Sequence, residues 1–225
     1  MIKEIISPKR GTVLRKNGPQ RLIISVIQGY SEKLFLINGT SFIVKDLSDS
    51  DFVIKPNDPY MIINNGNDNL EISYHHDISP HEIIYDPYKY EKLQKVAFKS
   101  EDFKDIYDIP HGYIDILPKW YSFKFTYPEF NIIFIKPEMG LSIQIHQQRN
   151  ETWEILGGKP IIIIRDKVHY KPKKGMIFQN PINSYHSIIN PSKNPKDFVM
   201  LKESWSGTFD EKDIERIFNP NQYFD

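Results

Sequence analysis

Short apolar runs, broken by Gly, Pro, Asn and Asp, set the pattern of this chain. RLIISVI, KLFLI, SFIVKD, DFVIKP, YMIIN and LEISYH follow one another in the N-terminal third. FNIIFIKP, LSIQIH, WEIL, PIIIIRD, MIFQNP, HSIIN and FVMLKES fill the C-terminal part. The runs are strand-length and rich in Ile, Val, Phe and Tyr, the spacing of an all-β sandwich or barrel. Between them, residues 85–110 are more polar and partly helical in period. EKDIERIF (211–218) reads as a short C-terminal helix with Asp210 as a candidate cap.

The two β regions resemble each other. EKLFLINGTSFIVKD and then DFVIKPNDPYMIIN stand against ETWEILGGKPIIIIRD and then VHYKPKKGMIFQN. Each begins with Glu (Glu32 or Glu151) and turns at Gly (Asn38-Gly39 or Gly157-Gly158). Each then reaches Lys-Pro (Lys55-Pro56 or Lys171-Pro172). An ordered recurrence of this kind predicts a duplicated β unit. The expected division is an N-terminal unit over 1–84, a connector over 85–109 and a second unit over 110–225.

Composition narrows the function classes. Lys plus Arg and Asp plus Glu both number 29, so the formal net charge is zero. No global field therefore recruits nucleic acid or an anionic membrane. The absence of cysteine excludes disulfides, thiolate metal sites and cysteine nucleophiles. The N-terminus MIKEIISPKRG lacks the features of a secretory signal, and no apolar run nears the roughly 18 residues of a membrane span. The expectation is a soluble cytoplasmic protein without nucleic-acid or membrane partners.

One stretch stands out chemically: SIQIHQQRNETW, residues 142–153. It is either a polar loop between strands or the lip of a metal site. On a strand, Ser142, Gln144 and His146 share one face and Ile143 and Ile145 take the other. Glu151 follows a short turn, where the next strand could return its carboxylate. Downstream, GMIFQNPINSYHSIIN supplies His186. Trp153 reads as core. HHDISPH (75–81) is tempting, but no strand spacing aims its histidines at a common point with an acid.

These residues carry a family resemblance. Gly140-x3-Gln144-x-His146-x4-Glu151-x6-Gly158 resembles the first cupin motif, with Gln in place of its first His. Gly175, Pro181, His186 and Asn190 resemble the second. Within cupins, LSIQIHQQRNETW is similar to the signature of phosphomannose isomerases, specifically the type often fused to GDP-mannose pyrophosphorylase. Pro110-x-Gly112-Tyr113 and SGTFDEKDIERI extend the similarity over roughly 110–218. Two departures stand out: Gln147 and Gln148 replace residues often His in the family, and NPNQYFD replaces an aromatic-Gly-Arg ending.

The resemblance implies a double-stranded β-helix in two tandem units, the first without ligands. It implies a divalent metal held by Gln144, His146, Glu151 and His186. Such a mixed N/O set suits Zn²⁺ first, with Mn, Fe, Co or Ni as alternatives. The implied reaction is aldose–ketose isomerisation of a sugar phosphate, with mannose 6-phosphate and fructose 6-phosphate as the pair. Lys202, Glu203 and Lys136 are the candidates for the base, and Arg149 is a further catalytic candidate. Ser142 and Arg149 are candidates for holding phosphate. A homodimer is the expected assembly. The competing expectations are a cupin isomerase or epimerase on another sugar or nucleotide-sugar, and a non-catalytic carbohydrate-binding bicupin.

Overall fold

The computed structural model describes residues 2–28, 34–45, 51–97, 99, 103, 107, 109–208, 210 and 212–221. The N-terminal strands are β1 (Ile2–Ile6), β2 (Leu14–Lys16), β3 (Leu22–Gln28), β4 (Leu34–Asn38), β5 (Ser41–Lys45), β6 (Asp51–Ile54), β7 (Pro59–Asn64), β8 (Leu70–Tyr74) and β9 (Glu82–Tyr85). The C-terminal strands begin with β10 (Asp115–Pro118), β11 (Ser122–Thr126), β12 (Phe130–Ile135), β13 (Met139–Gly140), β14 (Ile143–Ile145) and β15 (Arg149–Gly157). They continue with β16 (Ile161–Ile164), β17 (Lys167–Tyr170), β18 (Ile177–Asn180), β19 (His186–Asn190), β20 (Val199–Gly207) and β21 (Glu215–Phe218).

The strand order is a duplication laid out as a palindrome. One sheet runs β1-β8-β3-β6 and its counterpart runs β12-β20-β15-β18, extended by β11 and β10. The third sheet crosses both halves as β21-β14-β19-β16-β17-β5-β4-β7-β2-β9. Its midpoint is the antiparallel meeting of β17 and β5 at Lys167 and Ser41. Each half is thus a double-stranded β-helix, and the two join through edge strands.

The apolar runs lack a strict polar alternation because both faces of the shared sheet are covered. Ile161 and Ile163 point into a cluster with Phe35, Ile37, Met61 and Ile63, which lies between the halves. Ile162 and Ile164 point the other way, into the C-terminal barrel with Trp153 and Leu201. Leu34 and Leu36 do the same in the N-terminal barrel. Full burial of each such side chain stabilises by about 1.5–3 kcal/mol relative to exposure.

The same polar staple appears twice. Asn64 Nδ2 donates to the carbonyls of Ile6 and Asp68, and its oxygen accepts from Gly66 N. Asn190 Nδ2 donates to Ile135 and Asp197, and its oxygen accepts from Ser192 N. Both side chains are buried, and each satisfies a buried carbonyl, of Ile6 or of Ile135, while tying it to the following turn. Lys9 and Glu138 share a left-handed backbone at φ 59° and 61°, and Asn57 and Asn183 share one at 63° and 57°. The connector spans one of these pairs of turns: Arg10 bonds Glu91, while Tyr90 bonds Glu138.

Two sequence expectations need correction. The segment expected as a C-terminal helix is strand at 215–218, because Glu215, Arg216 and Phe218 pair with β14; Glu211 lies outside the described residues. The internal register also differs. Gln144 pairs with His186 where Arg15 pairs with Tyr60, and Glu151 pairs with Asn180 where Leu22 pairs with Ile54. The hairpin β4–β5 therefore matches β16–β17, not the strand that begins near Glu151. Glu32, the other anchor of the expected alignment, lies outside the described residues. Among the described residues of the connector, turns follow one another over 86–93, and Tyr107 N bonds the carbonyl of Phe103.

Candidate metal centre

Three strands bring the cluster together. Pairing of β14 with β19 sets Gln144 opposite His186, β15 carries Glu151 inward, and the turn after β14 carries His146. His146, Glu151 and His186 are all buried, and their ligand atoms lie within 4.8 Å of one another. His146 Nε2 is 3.1 Å from Glu151 Oε1, and His186 Nε2 is 3.5 Å from Glu151 Oε2.

Backbone carbonyls fix both imidazoles. His146 Nδ1 donates to the carbonyl of Asp213, and His186 Nδ1 donates to the carbonyl of Ser184 at 3.0 Å. Each Nε2 is thereby turned inward with its lone pair available, the outer support that metal-binding histidines use. Asp213 braces the turn further by accepting from the backbone N–H groups of Gln147 and Gln148.

The donor set fits a cation. His146 Nε2 and Glu151 Oε1 are both acceptors when Nδ1 carries the imidazole proton, so a positive species belongs between them. Glu151 Oε2 is buried without a hydrogen-bond partner. A buried carboxylate oxygen left so is costly unless a cation meets it. Gln144 turns its amide nitrogen toward both Nε2 atoms, at 3.2 and 3.5 Å, while its oxygen accepts from Ser142 Oγ at 2.7 Å. Ligation by this side chain requires the amide to turn its oxygen inward. This buried His/Glu/His cluster could hold a metal ion.

An internal cation already sits beside it. Arg149, buried, donates from Nε to Glu151 Oε1 at 2.9 Å and from Nη1 to the carbonyl of Asp210 at 2.8 Å. Its Nη2 lies 3.1 Å from His146 Nε2.

Electrostatics separate the titrating groups. Burial alone would raise Glu151, but the His146 hydrogen bond, the nearby His186 and Arg149 hold it down at about 2. His186 is lowered, by burial above all. Burial also pulls His146 down, yet the Glu151 hydrogen bond and charge outweigh it, so its pKa is raised. Burial pushes Glu203 up to about 7, with Glu151 adding to the effect and Asn131 opposing it through a 2.8 Å bond to Oε2.

A cavity of about 250 Å³ opens beside the cluster, lined in part by Ser142, Gln144, Arg149, Glu151 and Glu203. Of the candidates for the base, only Glu203 faces it. Lys202, one residue along the same strand, points outward with Nζ 4.5 Å from the centre of the Phe130 ring. Lys136 lies with its Nζ 5.7 Å from the centre of the Tyr90 ring. Ser142 and Arg149 line the cavity, but both already donate to cluster residues. Trp153 is core, edge-on to the His186 ring at 5.3 Å. His75 and His81 bond Ser25 and Tyr60, and among the described residues they form no metal-ligating cluster. Sequence reasoning missed Asp213, Asn131, Lys119, Lys124 and Arg216. Strand alternation along DIERIF held the signal for Arg216, hidden by the helical reading.

The family model described as mannose-6-phosphate isomerase C-terminal matches residues 109–219. The resemblance carried by the cupin motifs is thus shown over that segment. The chain is 32% identical over 81 residues to the mannose-1-phosphate guanylyltransferase ManC of Salmonella typhimurium, covering 36% of this chain and 16% of that protein. It is 34% identical over 86 residues to the alginate biosynthesis protein AlgA of Pseudomonas aeruginosa, covering 38% and 17%. These matches span about a sixth of each relative. Among solved structures, the capsular polysaccharide assembling protein CapF from Staphylococcus aureus is similar at 18% identity and a TM-score of 0.37, covering 54% of this chain and 34% of that one. No described helix is long and apolar enough to cross a membrane.

Proposed function

We propose that residues 110–225 form a metal-dependent sugar-phosphate isomerase unit, with mannose 6-phosphate and fructose 6-phosphate as the substrate pair. Residues 1–84 then serve as its scaffold, in a cytoplasmic homodimer. The observation that carries this reading is the convergence of two imidazole Nε2 atoms and an unpartnered carboxylate oxygen beside an open cavity. Gln144, His146, Glu151 and His186 would hold the ion, with Zn²⁺ the best match to the N/O set.

A divalent cation, when bound, supplies charge that orients sugar oxygens and stabilises developing negative charge. The remaining work falls to the chain. Glu203, poised near 7, takes the proton from C2 and returns it to C1, while the hydroxyl proton on O2 passes to O1; both protonation states of Glu203 are populated near neutrality. Asn131 fixes one oxygen of that carboxyl. Arg149 keeps Glu151 ionised through its 2.9 Å bond.

Elemental analysis and a coupled assay on metal-loaded protein test the proposal. The expected result is stoichiometric metal, turnover of mannose 6-phosphate, and loss of both in His146→Ala. No turnover by metal-loaded protein rejects the isomerase reading and leaves the fold standing. A second reading, a metal-free carbohydrate-binding bicupin, draws on the Arg149 guanidinium already lying against His146 and Glu151. Purified protein that refuses metal supports it.

A further inference from the structure

We infer that Lys119, Lys124 and Arg216 form an anion anchor in the lining of the cavity, and that it holds the phosphate of the substrate. The inference deepens the isomerase reading by assigning the substrate's charged end to residues outside the cupin motifs.

Both signs of charge line the cavity: Glu151 and Glu203 are acidic, and Lys119, Lys124 and Arg216 are basic. The cations arrive from separate elements. Arg216 sits on β21, across from Gln144. Lys124 sits on β11 opposite Ile133, close enough to Glu203 to bear on its charge. Lys119 sits in the turn between β10 and β11, its N–H bonded to the carbonyl of Ser122.

Elimination within the cavity favours these three cations. Ser142 spends its hydroxyl proton on Gln144, and Arg149 is tied to Glu151 and Asp210. Among the described residues, no ion pair joins Lys119 or Arg216 to a carboxylate. Lys119 Nζ lies 5.7 Å from the centre of the Tyr121 ring. Asn219 adds an amide NH₂ to the same lining, its oxygen already accepting from Asn221 N.

Two or three cations around a dianion match phosphate, and Arg adds a forked donor. The carboxylates of Glu151 and Glu203 in the same lining repel that group, so the three cations fix where the charged end of a sugar phosphate sits.

Calorimetry on the full chain tests the anchor with three probes: inorganic phosphate, mannose 6-phosphate and mannose. Both phosphates should bind the wild type, and more weakly as salt is added. Arg216→Gln and Lys119→Met should each weaken both phosphates by roughly tenfold or more, with partial recovery in Arg216→Lys. Both side chains are exposed, so thermal melts should match wild type; should one variant fail to fold, the other decides. Wild type that ignores inorganic phosphate, or variants that bind it as wild type does, overturn the anchor. Protein that binds phosphate through these residues without turnover keeps the anchor and rejects the isomerase. Turnover with unchanged KM in Arg216→Gln does the reverse.

Discussion

The two barrels share a skeleton and differ in what fills it. At equivalent points of strand pairing, Gln144 and His186 in one barrel face Arg15 and Tyr60 in the other. Glu151 corresponds to Leu22, and the inward pair Trp153 and Glu203 corresponds to Ile24 and Tyr74. Three titrating groups of the C-terminal interior, His186, Glu151 and Glu203, thus have a phenolic or apolar counterpart in Tyr60, Leu22 and Tyr74. Tyr60 and Tyr74 are buried, which raises both hydroxyls far above neutrality. Strand order, the Asn staples and the left-handed turns are kept, so they belong to the architecture. The imidazoles and carboxylates are the variable layer, the part available for chemistry.

The strongest way to break the contrast is to write the N-terminal solution into the C-terminal barrel. Glu151→Leu, which copies Leu22, should weaken metal binding by at least about a hundredfold, beyond the loss typical of a supporting residue. Metal content by elemental analysis checks it, and a variant retaining stoichiometric metal contradicts the site as described. Next come the staples. Asn64→Ala and Asn190→Ala each strand one buried carbonyl, that of Ile6 or of Ile135, and each should cost roughly 1–3 kcal/mol in denaturant unfolding. Matching losses support the equivalence of the two positions; a loss in one barrel alone argues against it.

The smallest effect is a pH dependence confined to one barrel. Glu203 is raised to about 7 from an ordinary 4.5, so the folded state binds its proton more tightly than the unfolded chain. Stability of the metal-free protein should then fall as pH rises from about 4.5 to 7 and level off above. The change should be about 1–2 kcal/mol, below the full linkage value because the side chain meets cavity water. Glu203→Gln should flatten that slope. Glu151, held at about 2, acts oppositely: its contribution is present above 4.5 and fades as pH drops toward 2. Chemical denaturation across pH separates the two.

Much of this was legible in the sequence, for definable reasons. Gln144 and His146 two apart, a carboxylate after a turn and His186 after Pro181 constrain geometry because strands fix which side chains share a face. The strand-rich fold was legible because β-branched runs recur between turn residues. The form of EKDIERIF was not: eight residues with Ile at a spacing of three satisfy a helix, and only the partner strand β14 decides otherwise. Lys202 and Glu203 are neighbours in sequence, and only packing of Leu201 into the barrel shows which faces the cavity. The repeat was visible but misregistered, because matching letters such as Lys-Pro drew the eye while the equivalent pair, His186 and Tyr60, shares burial rather than identity.

The meeting of β5 and β17 has one more implication. Where two identical subunits join edge to edge, a substitution in the gene is expressed on both sides of the axis. Here the axis passes through a single polypeptide, so each side can be altered alone. A tyrosine or leucine can seal one interior while its opposite number keeps an imidazole or a carboxylate, an asymmetry that a homodimer built on this same seam could not encode.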